Sequence, residues 1–259
     1  MQGRLQPRQI LLPTVRRLEA VGSRAWPAAS VHYDGVWAIR LTNGHPAKRL
    51  NSVNPLDPVD HGNMLERIER AAQRFAANDR PLTFRMSPLA SPQLTEHFDA
   101  QGWSRFGESL VMQAELSEER LAAAAPLLPV QEMDGFISAA IKIGNVEPAI
   151  RPGLSAVISS IQPERGLFVL EDEGLPVSTA ICVRDGDLSG VFEVATDERV
   201  RGQGHARRLL LSALKWAQQG GAKRAWLQVE AANTSALRLY ETLGFSEVYR
   251  YHYRQPPKD

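Results

Sequence analysis

Residues 191–206, VFEVATDERVRGQGHA, constrain the fold of this chain more than any other stretch. A short β-branched run ends in a turn, and Arg201-Gly202-Gln203-Gly204-His205-Ala206 then opens a helix. The first N–H groups of such a helix have no partner inside it, and the helix dipole favours negative charge at that end. Small residues also let the backbone come close to a ligand, so the turn suits a phosphate. A dinucleotide turn of the form Gly-x-Gly-x-x-Gly needs a third glycine where this chain has Arg207, which argues against that alternative.

A second strand-to-helix turn follows about 30 residues later. Leu227-Gln228-Val229-Glu230 reads as a strand, Ala231–Asn233 as a turn, and the next residues as a helix running through Leu243. Gly244 suits the C-terminal cap, and Phe245 begins another apolar segment. Upstream, helical patterns occupy Met133–Lys142 and Leu154–Ile161. Gly166–Glu171, Pro176–Arg184 and Leu188–Thr196 read as strands joined by the turns Asp172-Glu173-Gly174 and Asp185-Gly186-Asp187. Ala206–Gln219 is amphipathic, with Ala206, Leu210, Ala213, Leu214 and Ala217 on one face.

The first half echoes the second. Leu82–Met86 reads as a strand, Pro92–Gln101 as a helix, then Gly102-Trp103 and a strand over Glu108–Leu116. QGWSRFGESLVMQ and LGFSEVYRYHYRQ align around their glycines as a two-copy repeat. The copies differ where chemistry would lie. Tyr240 precedes Gly244 by four residues, whereas Phe98 precedes Gly102. Where a phosphate turn would stand, the first half has RLNSVNPLDPVDHGN, Pro-rich and without Gly-x-Gly. The segment 117–130, SEERLAAAAPLLPV, reads as a helix and connector, which puts a domain boundary near Leu116, giving units 1–116 and 117–259.

At 259 residues the chain suits two small domains, and 43% hydrophobic residues suffice for ordinary cores. Net charge is +1, so nothing global points to nucleic acid or an anionic membrane surface as partner. The lone cysteine, Cys182, lies in an apolar run, forms no intrachain disulfide, and reads as a buried small hydrophobe. MQGRLQPRQI has no hydrophobic signal core and no apolar run is long enough to span a bilayer, which points to a soluble cytoplasmic protein. The histidines are scattered and the cysteine has no partner, so no metal site is expected.

Together, the turn Arg201–Ala206 and the segment AANTSALRLYETLGF resemble the acetyl-coenzyme A site of the GNAT acetyltransferases, over roughly residues 115–255. The resemblance implies an α/β protein of two GNAT-like domains, each a mixed central β-sheet flanked by helices, of which only the second is catalytic. It implies that main-chain groups of Val194, Ala195 and Thr196 pair with the pantetheine arm of acetyl-CoA. It further implies that the N–H groups of Arg201, Gly202, Gln203, Gly204, His205 and Ala206 hold the pyrophosphate, with His205 otherwise a surface loop residue. Asn233 falls where the family places an asparagine on the cofactor arm, and it is equally suited to cap a helix. Tyr240 matches the family's tyrosine near the coenzyme sulfur, a proton donor to the leaving thiolate. Arg207, Arg208 and Arg238 stand either near phosphates or as solvated charges.

The base is open at this stage. Some family members carry a glutamate where this chain has Gln228, which has no useful basicity. Glu230 and Glu193 are the two candidates, directly or through water. Tyr249, Tyr251 and Tyr253 alternate onto one strand face opposite His252, as core or as lining of an acceptor site. Trp26, Trp37, Phe84, Phe98 and Trp103 read as first-half core. Arg49, Asn51, Ser52 and Asn54 are either turn chemistry or polar groups that the first half lends to a shared cleft. The implied activity is transfer of an acetyl or other short acyl group to an amine: a small molecule, a peptide N-terminus or a lysine. The rival is a non-catalytic acyl-CoA-binding regulatory or sensor protein on the same fold.

Overall fold

The structure is a computed structural model and describes residues 11–257; the reading of MQGRLQPRQI as lacking a signal core falls outside them. The first half runs α1 (Leu12–Ala25), β1 (Ser30–Asp34), β2 (Trp37–Leu41), β3 (Ser52–Pro55), α2 (Met64–Ala76), β4 (Phe84–Met86), α3 (Pro92–Ala100) and β5 (Ser104–Glu115). The second runs α4 (Met133–Gly144), α5 (Arg151–Ser159), β6 (Glu164–Asp172), β7 (Leu175–Asp185), β8 (Leu188–Thr196), α6 (His205–Gln219), β9 (Arg224–Glu230), α7 (Thr234–Thr242) and β10 (Ser246–Gln255).

Local chemistry accounts for these elements. α1 starts with a proline in its first turn and buries Val15, Leu18, Val21 and Ala25, a helical stripe. Ser91 caps α3 by accepting from the Leu94 N–H, and Asn233 caps α7 by accepting from the Ala236 N–H at 3.1 Å. α3 and α7 end alike. Gly102 (φ 67°) and Gly244 (φ 85°) are left-handed, and the next residue donates back to the helix, Trp103 to the Phe98 carbonyl and Phe245 to the Tyr240 carbonyl.

The two halves share one ten-stranded mixed sheet, ordered β1-β2-β3-β4-β10-β5-β9-β8-β7-β6. The order reads the same way from either edge toward the centre. Three antiparallel strands lead to a parallel pair, β3 with β4 on one side and β8 with β9 on the other. At the centre the final strands are exchanged: β5 of the first half pairs with β9, and β10 of the second pairs with β4. β5 and β10 also pair with each other, antiparallel from Ser246↔Gln113 to Gln255↔Ser104. Hydrophobic periodicity finds the strands but does not say which edge each one joins.

Three apolar clusters fill the structure. One joins β5 and the second-half strands to α6, from Leu209 to Ala217. Another joins α1, α4 and α5 to Trp226 and Tyr249, Tyr251 and Tyr253 of β10. The third gathers Trp37, Phe84 and Phe98 with Trp103 packed against them. Trp26 departs from that first-half set, stacking on Phe192 of β8 at 5.4 Å. Cys182 is buried, and its thiol is pushed up to about 12 by desolvation.

Residues 117–130 contain turns and extended chain rather than the helix read from their alanines. Pro126 and Pro129 interrupt a helical register. Tertiary contacts hold the segment in place: Leu121 is buried, Ser212 Oγ donates to the Ala125 carbonyl, and the Val130 N–H donates to the Leu167 carbonyl. Among the described residues no helix is long and apolar enough to cross a membrane.

Candidate active site

Strands β8 and β9 run parallel only from Leu188↔Arg224 to Val191↔Leu227. Beyond Val191 they part. The cause lies within β8, where three residues of β7 (Thr179 to Ile181) span four of β8 (Phe192 to Ala195). Such a bulge bends a strand away from its neighbour. Glu193 sits in it with φ 49°, a left-handed conformation that costs a non-glycine residue about 1–3 kcal/mol and recurs at functional sites. The gap opens into a cavity of about 950 Å³, the upper end of the range for small-molecule sites.

One end of the cavity is the N-terminus of α6. Gly204 is its N-cap, with φ 82°, and supplies no side-chain acceptor to the first turn, whose residues His205, Ala206 and Arg207 line the opening with it. A Cβ at Gly204 would meet no neighbour within 4 Å, so the backbone stands clear. α2 likewise starts from a left-handed N-cap without a side-chain cap, Asn63 (φ 50°), but its approach is acidic. There the corresponding turn is closed by Asp60, which accepts from the Val36 N–H and is held by both terminal nitrogens of Arg67.

The cavity walls bring the chemistry together. Glu193, Val194, Ala195 and Thr196 come from β8, and Glu230 from the end of β9. Asn233 and Tyr240 come from α7. Tyr240 is 7% exposed, and burial pushes its phenol up to about 12, so it stays protonated at neutral pH. No described residue hydrogen-bonds its hydroxyl. Burial also raises the Glu193 carboxyl, partly offset by the Arg49 guanidinium at 4.0 Å. Glu230 is exposed at the rim.

Residues 146–245 match the family model described as Acetyltransferase (GNAT) family. Those residues form a GNAT acetyltransferase domain. It is similar along nearly its whole length to an uncharacterized N-acetyltransferase, YobR, of Bacillus subtilis: 25% identical over 246 residues, 93% of this chain and 98% of that one. Its fold is that of a GCN5-related N-acetyltransferase from Kribbella flavida, with a TM-score of 0.69 at 20% identity, covering 97% of this chain and 98% of the other. A tandem GNAT protein from the clavulanic acid biosynthesis pathway has a similar fold, with a TM-score of 0.62 at 15% identity over 99% of this chain and 91% of the other.

Of the residues that the GNAT resemblance singles out, the cavity takes in Tyr240, Glu193, Glu230, Val194, Ala195, Thr196, Asn233, Arg201, Gly202, Gly204, His205 and Ala206. Gln203 is exposed in the turn and outside the lining. His205 is not a surface loop residue: it is 7% exposed and opens α6, with Nε2 buried and no described group bonded to it. Arg207 and Arg238 line the cavity, while Arg208 is exposed outside it. Gln228 also lines it, with its Oε1 accepting from the Tyr251 hydroxyl at 2.8 Å.

The polar cluster of the first half divides. Asn51 accepts from the Thr42 N–H and donates to the His45 carbonyl beside a buried turn, and Asn54 donates to the Ser52 carbonyl within β3. Arg49 instead crosses to the second half. Its guanidinium lies 5.8 Å from the rings of both Trp26 and Phe192 and lines the GNAT cavity. The left-handed backbone of Glu193 had no signal in the sequence, since nothing in FEVAT demands it.

Proposed function

We propose that the chain transfers an acetyl group from acetyl-CoA directly to an amine, using the cavity between β8 and β9. The observation that carries this reading is the convergence of an uncapped helix start, a separated strand edge, a half-buried carboxylate and a buried phenol on that one cavity. The N–H groups from Arg201 to Ala206 hold the pyrophosphate at the dipole end of α6. Val194, Ala195 and Thr196 offer the pantetheine arm the main-chain groups that β9 leaves unpaired. Asn233 spends its Oδ1 on the α7 cap, and its Nδ2 is the group available to the arm.

Acetyl-CoA supplies the acyl carbon: a bond forms from the amine nitrogen to that carbon as the carbon–sulfur bond breaks. Glu193 takes the proton that the amine sheds, because burial raises its affinity for one. Tyr240 gives a proton to the departing sulfur and recovers one from solvent. The exposed Glu230 serves, in this reading, at the acceptor's mouth rather than as the base.

Thiol release from acetyl-CoA, followed across a broad amine panel with mass detection of the acetylated product, tests the reading. Amine-dependent thiol release is expected. Tight binding of acetyl-CoA with no turnover on any amine would overturn it and favour a sensor.

A further inference from the structure

Behind the cavity wall, charged groups crowd where the two halves meet. Arg85 and Glu19 form an ion pair at 2.6 Å, and the Tyr249 hydroxyl donates to the other Glu19 oxygen at 2.6 Å. Both carboxylate oxygens are therefore taken. Arg40 donates to the Trp26 carbonyl and has no carboxylate partner among the described residues. Two buried guanidinium nitrogens, Arg40 Nε and Arg85 Nη2, have no hydrogen-bond acceptor among the described residues. Arg49 completes the group. At 4.0 Å from Glu193 it is too far for a hydrogen bond, so its donors stay available.

Three guanidinium groups thus face two carboxylates, and the surplus is positive. A buried N–H without an acceptor is destabilising, and a surplus buried charge is stabilised by an opposite one. Arg40, Arg49 and Arg85 border a crevice of about 20 Å³, which admits one atom the size of an oxygen. Arg49, Phe192 and Gln228 line both this crevice and the main cavity, so a molecule in the cavity meets these cations first at Arg49.

We propose that the amine acceptor is a small molecule that also carries a carboxylate, and that Arg49 binds that carboxylate, with Arg40 and Arg85 reinforcing it from behind. The inference rests on the reading of Glu193 as the group that meets the amine. Because Arg49 and Glu193 stand 4.0 Å apart, the amine and carboxylate lie a few bonds from each other, as in an α- or β-amino acid. Guanidinium is the side chain that grips a carboxylate with two parallel hydrogen bonds.

Calorimetry on protein saturated with coenzyme A, which carries no acyl group to transfer, tests this directly. The probes are the proteinogenic amino acids and β-alanine, each against its own amide. At least one acid is expected to bind about tenfold or more tightly than its amide. Arg49→Gln should bring that ratio to about one, and Arg49→Lys should keep part of it. Amides binding as tightly as acids, or no acid binding up to about 10 mM, overturns the proposal. So does a preference that survives Arg49→Gln. Thiol release on the same pairs separates the two readings. Selective acid binding without thiol release would sink acetyl transfer alone, and thiol release confined to amines without a carboxylate would sink this inference alone.

Discussion

Arg49 Nη2 stands 4.0 Å from Glu193 Oε1, and the two residues come from opposite halves of the chain. Burial raises the Glu193 carboxyl while Arg49 pulls it down, and burial is the larger effect. The active base is the ionised form, so kcat/KM should fall as pH drops through the raised value, above the usual carboxylate range near 4. Glu193→Gln should remove that acid limb and most of the turnover at neutral pH. A profile measured under conditions where chemistry limits the rate checks this.

The same carboxylate makes a stability prediction. A group whose pKa is raised by folding adds stability below its unfolded value and loses it as pH rises through the folded one. Glu193 therefore weakens the fold at pH 7 relative to a neutral isostere. Glu193→Gln should raise Tm at pH 7 and leave it unchanged near pH 4. An equal Tm at both pH values would show that the carboxylate is better solvated than its surroundings indicate.

Tyr240→Phe keeps the ring that packs against Phe245 and deletes only the hydroxyl. General acids contribute roughly 100-fold to 10,000-fold. Turnover should fall within that range while the affinity for coenzyme A changes little. Single-turnover kinetics with calorimetry separates the two effects.

At Gly204 two substitutions divide strain from charge. Both alanine and glutamate meet the penalty of φ 82°, about 1–2 kcal/mol. Only glutamate adds a negative charge at the helix start. Gly204→Glu should bind coenzyme A far more weakly than Gly204→Ala, and wild type should bind one equivalent per chain. Two equivalents would mean that the first half, despite Asp60 in its turn, also holds the ligand.

Much of the second half was legible because its signals are local. The hairpin turns, the stripe of α6 and the glycine after α7 fix elements that the structure places within a few residues of their expected ends. The glycine turn and Tyr240 pointed to the cavity for the same reason. What stayed hidden depends on tertiary partners. The exchange of β5 and β10 cannot be read from alternation, because either edge would satisfy the same pattern. The alanines of 117–130 favour a helix until Leu121 and Val130 find partners elsewhere. Arg49 looked like one polar residue in a turn, and only its position beneath Glu193 distinguishes it from Asn51.

A second hidden contact is the approach of Gly153 in α5 to Gly44 in the first half. A Cβ on Gly153 would lie 1.7 Å from the Gly44 carbonyl oxygen, a backbone atom that cannot rotate away. Gly153→Ala should push the two segments apart and cost about 1–3 kcal/mol, the range for forced overpacking. Urea denaturation measures it, and an unchanged midpoint would mean the loop at Gly44 yields freely.

Cutting the chain within 117–130 should give two fragments that are insoluble apart and soluble together. Each alone leaves a strand edge without its partner, β9 in one and β4 in the other. Co-expression followed by size-exclusion chromatography shows whether they reassemble.

The exchange also sets the order of events during synthesis. A first half leaving the ribosome can form β1 to β4, but the strand that covers β4 is β10, more than 150 residues further on. The nascent chain must keep that edge from pairing wrongly until residues 246–255 emerge, and only then do both halves close at once. Closure of the sheet therefore waits on the synthesis of β10, and a translational delay just before residues 246–255 would prolong the most aggregation-prone state.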